Sequence, residues 1–381
     1  MGNFGVLCKP MNMKRIGTVL ALLTILLLTS PTVWGQEGDG GIGANEQDTS
    51  HITLLQDIEY VRRDGISYRL DICQPKKLTS KVPAIILTHG GGFGRGSKKD
   101  LRDECAALAN MGYVGVAVDY RLTDVAPYPA QIDDVQYAVR WIRSNANKYF
   151  IDPTKLGSLG GSAGGYLATM LGVRDTRNIA EGLSEFSSQV QVVIARSGIP
   201  MDATTASTLP DPNAPFKDAL NEITTKYLKG YTQTTELARE ISAVTYVTSK
   251  SAPLLAVHSV NDRLAPIANA FAIVNALKGQ GVEAQVVSFQ GIGNAHGRSR
   301  LPVSEQNRLW NIETQFLRTH LLLSSVSSPT INVSEESKLV KTSPKISLLS
   351  KGRPLLFIEG ILIVAFAILV HLLMKRKKGY K

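Results

Sequence analysis

The 381-residue chain has three cysteines, at positions 8, 73 and 105, and six histidines. No subset of them has metal-ligand spacing, so no resident metal is expected. Nothing in the separation of Cys73 and Cys105 demands a bridge, and two buried thiols are the expectation. A phosphate-binding loop is also missing. The one glycine-rich candidate, LTHGGGFGRGSKKD at 87–100, breaks the G-x-x-x-x-G-K-[ST] register, because Ser97 stands between Gly96 and Lys98. A dinucleotide loop would need a helix opening inside the glycine run, and helix-forming sequence starts only at Lys98. No nucleotide or other cofactor is therefore expected. Nor does the central part of the chain carry surplus charge. The formal +10 is concentrated in residues 1–35, in the stalk-like segment 323–353 and in the basic end 375–381, leaving 36–322 nearly neutral. No nucleic-acid partner is therefore expected.

Those terminal charges mark targeting. Lys9, Lys14 and Arg15 precede an apolar run from Ile16 to Leu28, and small residues lead to a cut after Gly35, so 1–35 reads as a signal peptide. Residues 36–51 form a flexible leader. At the other end, 354–374 has the length of one membrane span and KRKKGYK follows it, which predicts a cytoplasmic tail at 375–381 and the main domain outside the membrane. Residues 323–353, rich in Ser, Thr, Lys and Pro, read as a flexible stalk. The expected protein is thus a single-pass type I membrane protein whose domain at 52–322 is extracytoplasmic.

Within 52–322 the pattern alternates strands and helices. Residues 52–61 and 66–73 alternate apolar and polar side chains about ArgArgAspGly, as an antiparallel hairpin with one wet face requires. Short apolar runs follow at 83–89, 113–119, 155–161, 190–196, 253–259 and 283–289, suited to a parallel sheet buried on both faces. Helical periodicity fills the gaps at Leu101–Met111, Ala130–Tyr149, Ala163–Val173, Ile267–Lys278 and Ser304–Leu322. The sum is an α/β fold with a mostly parallel, eight-stranded sheet flanked by helices. Residues 197–250 are too long for a simple connection and predict a small cap over the site.

Ligands of such sheets bind beyond the carboxyl ends of the strands, so chemistry is sought there. At the end of 155–161 stands Gly160-Gly161-Ser162-Ala163-Gly164-Gly165, a strand-to-helix turn that lifts a serine hydroxyl above the sheet at the positive end of a helix. Ser162 is the candidate nucleophile, and it needs a base. His296, in a glycine-rich loop after the last strand, is better placed than the other histidines; His89 reads as a structural strand-end imidazole. Asp262, just beyond 253–259, is the carboxylate to orient that base, with Asp202 as its rival. A serine attacking a carbonyl creates an oxyanion. The amides of Gly91, Gly92 and Ala163 are the expected donors, which gives the glycine loop a role without phosphate.

HGGGF, VDYRL with APYPAQIDDVQYAVRWI, GGSAGG and SAVTYV with APLLAVHSVNDRLAP together resemble the α/β-hydrolase esterases, in particular the hormone-sensitive-lipase-related group that includes bacterial acetyl and feruloyl esterases. The resemblance extends over 52–322. It implies an α/β-hydrolase fold and a serine carboxylic-ester hydrolase with a Ser162–His296–Asp262 triad; the short cap adds the expectation of short acyl groups, on esters that a polysaccharide could carry. It also implies that Asp119 and Arg121 hold a loop by ion pairing, while Asp133 and Asp134 suit the start of a helix. The chain departs from the group's pattern in having Ser259 after His258, and Asn294-Ala295 between Gly293 and His296. Two other readings remain open: a prolyl-oligopeptidase-like peptidase, and a surface binding module without catalysis.

Overall fold

Asp64 and Gly65 both take positive φ angles, 47° and 79°, the backbone a tight two-residue hairpin turn needs, and they join β1 (Ile52–Arg63) to β2 (Ile66–Pro75). The remaining strands are β3 (Val82–Thr88), β4 (Val114–Val118), β5 (Ile151–Gly161), β6 (Val192–Arg196), β7 (Leu254–Ser259) and β8 (Ala284–Phe289). They form one eight-stranded sheet in the order β1-β2-β4-β3-β5-β6-β7-β8. The β1–β2 and β2–β4 pairings are antiparallel and all others parallel.

The computed structural model describes residues 49–198, 217–232, 234–292, 296–298 and 300–321. The chain divides into two compact units, Met1–Leu323 and Ser324–Lys381, and the described residues all belong to the first. The signal peptide expected at 1–35, most of the leader, the stalk, the span at 354–374 and the basic tail lie outside them. Among the described residues no helix is long and apolar enough to cross a membrane.

Seven helices are described: α1 (Arg102–Asn110), α2 (Ala130–Ser144), α3 (Ala163–Val173), α4 (Lys217–Tyr227), α5 (Thr235–Ile241), α6 (Ala268–Gly279) and α7 (Val303–Leu321). Strand residues of alternating parity point to opposite faces. Ile86 and Val116 accordingly join the core formed with α2, α3 and α6, while Ile85, Leu87 and Ala117 join the one formed with α1 and α7. The helix predicted to run from Ala130 to Tyr149 stops at Ser144. Asn145 turns its side chain back to donate to the Trp141 carbonyl at 2.9 Å, competing with the helical ladder.

One sequence expectation needs correction. Cys73 on β2 and Cys105 on α1 form a disulfide with their Cα atoms 5.6 Å apart, not a pair of thiols. Spacing along the chain could not reveal this, because the approach depends on α1 packing on β2. The loop at Asp119 and Arg121 is held by ion pairing, as expected: Arg121 grips Asp134 with two nitrogens, each at 2.8 Å. Asp119 accepts the backbone N–H of Lys98 at 2.7 Å, and Asp133 holds Arg177.

Residues 217–246 of the predicted cap carry α4, α5 and a short 3-10 turn, whereas 199–216 lie outside the described residues. Tyr227 of α4 stacks on Phe93 of the glycine loop with ring centroids 4.2 Å apart, and its carbonyl accepts the Tyr128 N–H at 2.7 Å. Tyr166 of α3 donates to the Ile241 carbonyl at the end of α5 at 2.7 Å. This segment is therefore pinned to the loops beyond β3 and β4 and to α3.

Candidate active site

Ser162 sits between β5 and α3 at φ 56° and ψ −121°, a backbone sparsely populated for any residue with a side chain. The surroundings hold it there. Its N–H donates to the Arg196 carbonyl on β6 at 2.8 Å, and its carbonyl accepts the Tyr166 N–H at 3.2 Å. Gly164 explains why the turn tolerates so little bulk: a Cβ there would lie 2.0 Å from the Thr88 carbonyl oxygen. The close approach draws the first turn of α3 against the end of β3, and the Thr88 hydroxyl seals it by donating to the Gly164 carbonyl at 2.8 Å.

The three residues expected to act together are brought together. Ser162 Oγ donates to His296 Nε2 at 2.8 Å, and His296 Nδ1–H donates to Asp262 Oδ2 at 3.0 Å. Asp262 is held by its other oxygen, which accepts the N–H groups of Leu264 at 3.0 Å and Ala265 at 2.8 Å. Ser162 and Asp262 are buried and His296 is partly open. Asp202, the rival carboxylate, lies outside the described residues.

The glycine loop stands beside this trio. A Cβ at Gly90 would be 3.3 Å from the Ser162 Cβ, which places the loop next to the reacting hydroxyl. Gly91 adopts φ +104°, and a Cβ there would fall 2.3 Å from the Arg95 carbonyl oxygen, so only glycine can expose a backbone amide at that position. Gly92, at φ +60°, faces Ile223 of α4. Ala163 opens α3, where backbone N–H groups lack partners within the helix. Gly91 and Gly92 thus follow Gly90 in the loop beside Ser162, and Ala163 follows that serine at the start of α3.

Two further histidines ring the site. Burial brings His89 down to about 4, so it is neutral near pH 7. Its Nδ1–H donates to the Gly90 carbonyl at 2.9 Å, and its ring stacks on Tyr120 at 4.1 Å. His89 therefore braces the glycine loop, as expected. His258 is likewise lowered by burial; its Nε2 donates to the Ala265 carbonyl at 2.6 Å and lies 3.6 Å from Asp262 Oδ2. Ser259, where the esterase group has glycine, donates to Asn261 Oδ1 at 2.7 Å. That oxygen also takes the Gly291 N–H at 2.9 Å, while Asn261 Nδ2 donates to the Gly291 carbonyl at 3.0 Å. Asn261 thereby ties the Asp262 loop to the start of the His296 loop. Sequence reasoning missed Asn261 and Ile223, because each acts on a partner far away in the chain. Among the described residues no group of three or more His, Cys, Asp or Glu could hold a metal ion.

A hydroxyl in contact with an imidazole, oriented by a buried carboxylate and set beside a glycine loop and a helix N-terminus, can attack an acyl carbon. Comparison with known proteins points to the same chemistry. The BD-FAE family model matches residues 70–277, which include the glycine loop, Ser162 and Asp262 and end before His296. Esterase LipQ of Mycobacterium tuberculosis is 27% identical over 232 residues, covering 60% of this chain and 53% of that protein. The probable carboxylic ester hydrolase LipM of the same organism is 26% identical over 262 residues, covering 65% and 59%. The match thus spans little more than half the length of these curated relatives. Among solved structures, an acetyl ester-xyloside bifunctional hydrolase from Caldicellulosiruptor lactoaceticus superposes with a TM-score of 0.57 at 22% identity, covering 68% of this chain and 96% of its own. A propionate-bound thermophilic esterase from Thermogutta terrifontis gives 0.60 at 22% identity, with 74% and 98% coverage. These two likenesses show the α/β-hydrolase fold.

Proposed function

The chain belongs to the BD-FAE family, and from that premise we propose that it is a carboxylic ester hydrolase that works through a covalent acyl-enzyme on short, acetyl-type esters, including those carried by carbohydrates. The observation that carries the reading is the unbroken relay from Ser162 Oγ through His296 to Asp262. Ser162 Oγ attacks the carbonyl carbon while its proton passes to His296 Nε2, and the oxyanion forms toward the amides of Gly91, Gly92 and Ala163. Each such donor contributes about 3 kcal/mol of transition-state stabilisation. Collapse expels the alcohol, which takes the proton from His296, and leaves the acyl group on Ser162. Water then gives its proton to His296 and attacks the ester, which releases the acid and restores the hydroxyl.

The preference for short acyl groups is supported by α4. A methyl group on Gly92 would lie 3.0 Å from Ile223 Cγ1, so the cap segment leaves little height above the loop. The names of the structural neighbours point the same way, with an acetyl ester and a bound propionate. The test is hydrolysis of p-nitrophenyl acetate, butyrate and decanoate, followed by acetate release from acetylated xylo-oligosaccharide. Rates should fall with chain length. Ile223→Ala should raise the butyrate-to-acetate ratio of kcat/KM about tenfold, the scale of one or two methylenes in an apolar pocket. A folded protein inert toward every ester would overturn the reading and favour peptidase or binding functions.

The proposed location is extracytoplasmic, with residues 354–374 as a single tether and 375–381 inside. Its supports are the basic and apolar patterning of the two ends and the Cys73–Cys105 bridge, a bond that persists in oxidising compartments. Protease added to intact cells should degrade the domain at 36–322, and alkaline carbonate should leave the chain in the membrane pellet. Protection from protease, or release by carbonate, would reject this topology.

A further inference from the structure

Beneath the site, on the face of the sheet that carries α1 and α7, four charged side chains are buried together. Arg196 closes β6, Arg298 follows His296 by two residues, Glu104 belongs to α1 and Glu313 to α7. All four side chains are 3% exposed or less. Arg196 grips Glu313 through Nε at 2.8 Å and Nη2 at 2.7 Å, and its Nη1 donates to Glu104. Arg298 reaches the same two carboxylates, Glu313 at 3.1 Å and Glu104 at 3.3 Å. Trp310 of α7 lies near both guanidinium carbons, 5.7 Å and 5.9 Å from its ring centroid. Burial would raise the Glu313 carboxyl, but Arg196 and Arg298 bring it below its ordinary value, as a carboxylate shared by two cations requires.

Stability alone is a weak reason for burying four charges, since well-packed apolar side chains of the same volume often serve as well. Direction is a better one. A guanidinium is a rigid planar fork, and each carboxylate here receives bonds from both forks, so neither arginine can shift without loosening the other. The two arginines reach opposite halves of the active site. The Arg196 carbonyl accepts the Ser162 N–H at 2.8 Å, and the Arg298 backbone is two residues from the imidazole that meets the Ser162 hydroxyl. We infer that this Arg196–Arg298–Glu104–Glu313 cluster is a positioning device that registers the His296 loop against the Ser162 turn, holding base and nucleophile at reacting distance. The inference rests on the esterase reading of Ser162 and His296. The four residues touch neither substrate nor reacting atoms; they act through the backbones of those that do.

The experiment is steady-state hydrolysis of p-nitrophenyl acetate by the whole chain, with active sites counted by complete fluorophosphonate labelling so that kcat refers to folded, competent molecules. Arg298→Met should lower kcat per labelled site about 10²-fold, the effect of roughly 1 Å of misplacement, with KM unchanged within about threefold. Arg298→Lys, which keeps the charge and loses the fork, should recover about a tenth to a half of the wild-type kcat and also covers the case in which Arg298→Met does not fold. Arg140→Met is the control for burial alone. Arg140 is equally buried, on α2 across the sheet, where it donates to the Asn178 carbonyl at 3.2 Å. That variant should lose thermal stability yet keep kcat per labelled site within about twofold. If both Arg298 variants keep the wild-type kcat per site while losing only stability, as Arg140→Met does, the positioning role is overturned and the esterase reading stands. If the wild-type chain neither hydrolyses esters nor labels at Ser162, the esterase reading fails and takes the inference with it.

Discussion

Ser162→Ala is expected to lower kcat for p-nitrophenyl acetate by about 10⁶-fold, the scale seen when a triad serine is removed, with KM little changed. The fold should survive. Alanine keeps the backbone bonds from the Ser162 N–H to the Arg196 carbonyl and from the Tyr166 N–H to the Ser162 carbonyl. Among the described residues the hydroxyl meets only His296, so its loss leaves no orphaned group deep in the core. The strained φ of 56° is imposed by packing around Gly160 and Gly164, which the substitution does not touch. Intact thermal stability with no acyl burst and no fluorophosphonate labelling is the expected combination. Residual activity within tenfold of the wild type would move the nucleophile elsewhere and dissolve the proposed mechanism.

Local patterning made the fold legible. The eight apolar or alternating runs became eight strands, because period-two alternation and buried β-branched runs depend on neighbours only in kind. Ser162 was readable for a similar reason: strand, glycines and helix are contiguous, so the strained turn is written in one stretch. Asp262 and His296 were readable from their places after strands, and their meeting is a consequence of β7 pairing with β8. What stayed hidden depends on contacts between distant segments. Cys73 meets Cys105 only because α1 lies on β2, and Arg298 meets Glu104 across 194 residues. Which partners Asp119 and Arg121 take was hidden too, since Lys98 lies 21 residues before the one and Asp134 lies 13 residues after the other. Ser259 looked like a departure from the esterase group, yet its hydroxyl anchors Asn261, which binds Gly291 at the base of the His296 loop.

Asp262→Asn should cost about 10⁴-fold in kcat while leaving the overall fold intact, and the reason lies in which oxygen is already engaged. Asp262 Oδ1 accepts two backbone N–H groups, from Leu264 and Ala265, and Oδ2 accepts Nδ1–H of His296. An asparagine has one acceptor and one donor end. Turned with its NH2 toward Leu264 and Ala265, it would set donors against donors and leave two backbone groups unsatisfied, at about 1–3 kcal/mol each. The favoured orientation therefore keeps oxygen on the backbone and presents NH2 to His296. Nδ1 must then accept, the ring proton moves to Nε2, and Nε2–H faces the Ser162 hydroxyl where a lone pair is needed. Base and nucleophile would remain at hydrogen-bonding distance, yet the serine proton would have nowhere to go. Raising the pH should restore activity only as far as hydroxide replaces the lost base. Wild-type kcat in a folded Asp262→Asn protein would show that another carboxylate orients His296, and Asp202 would be the next residue to replace.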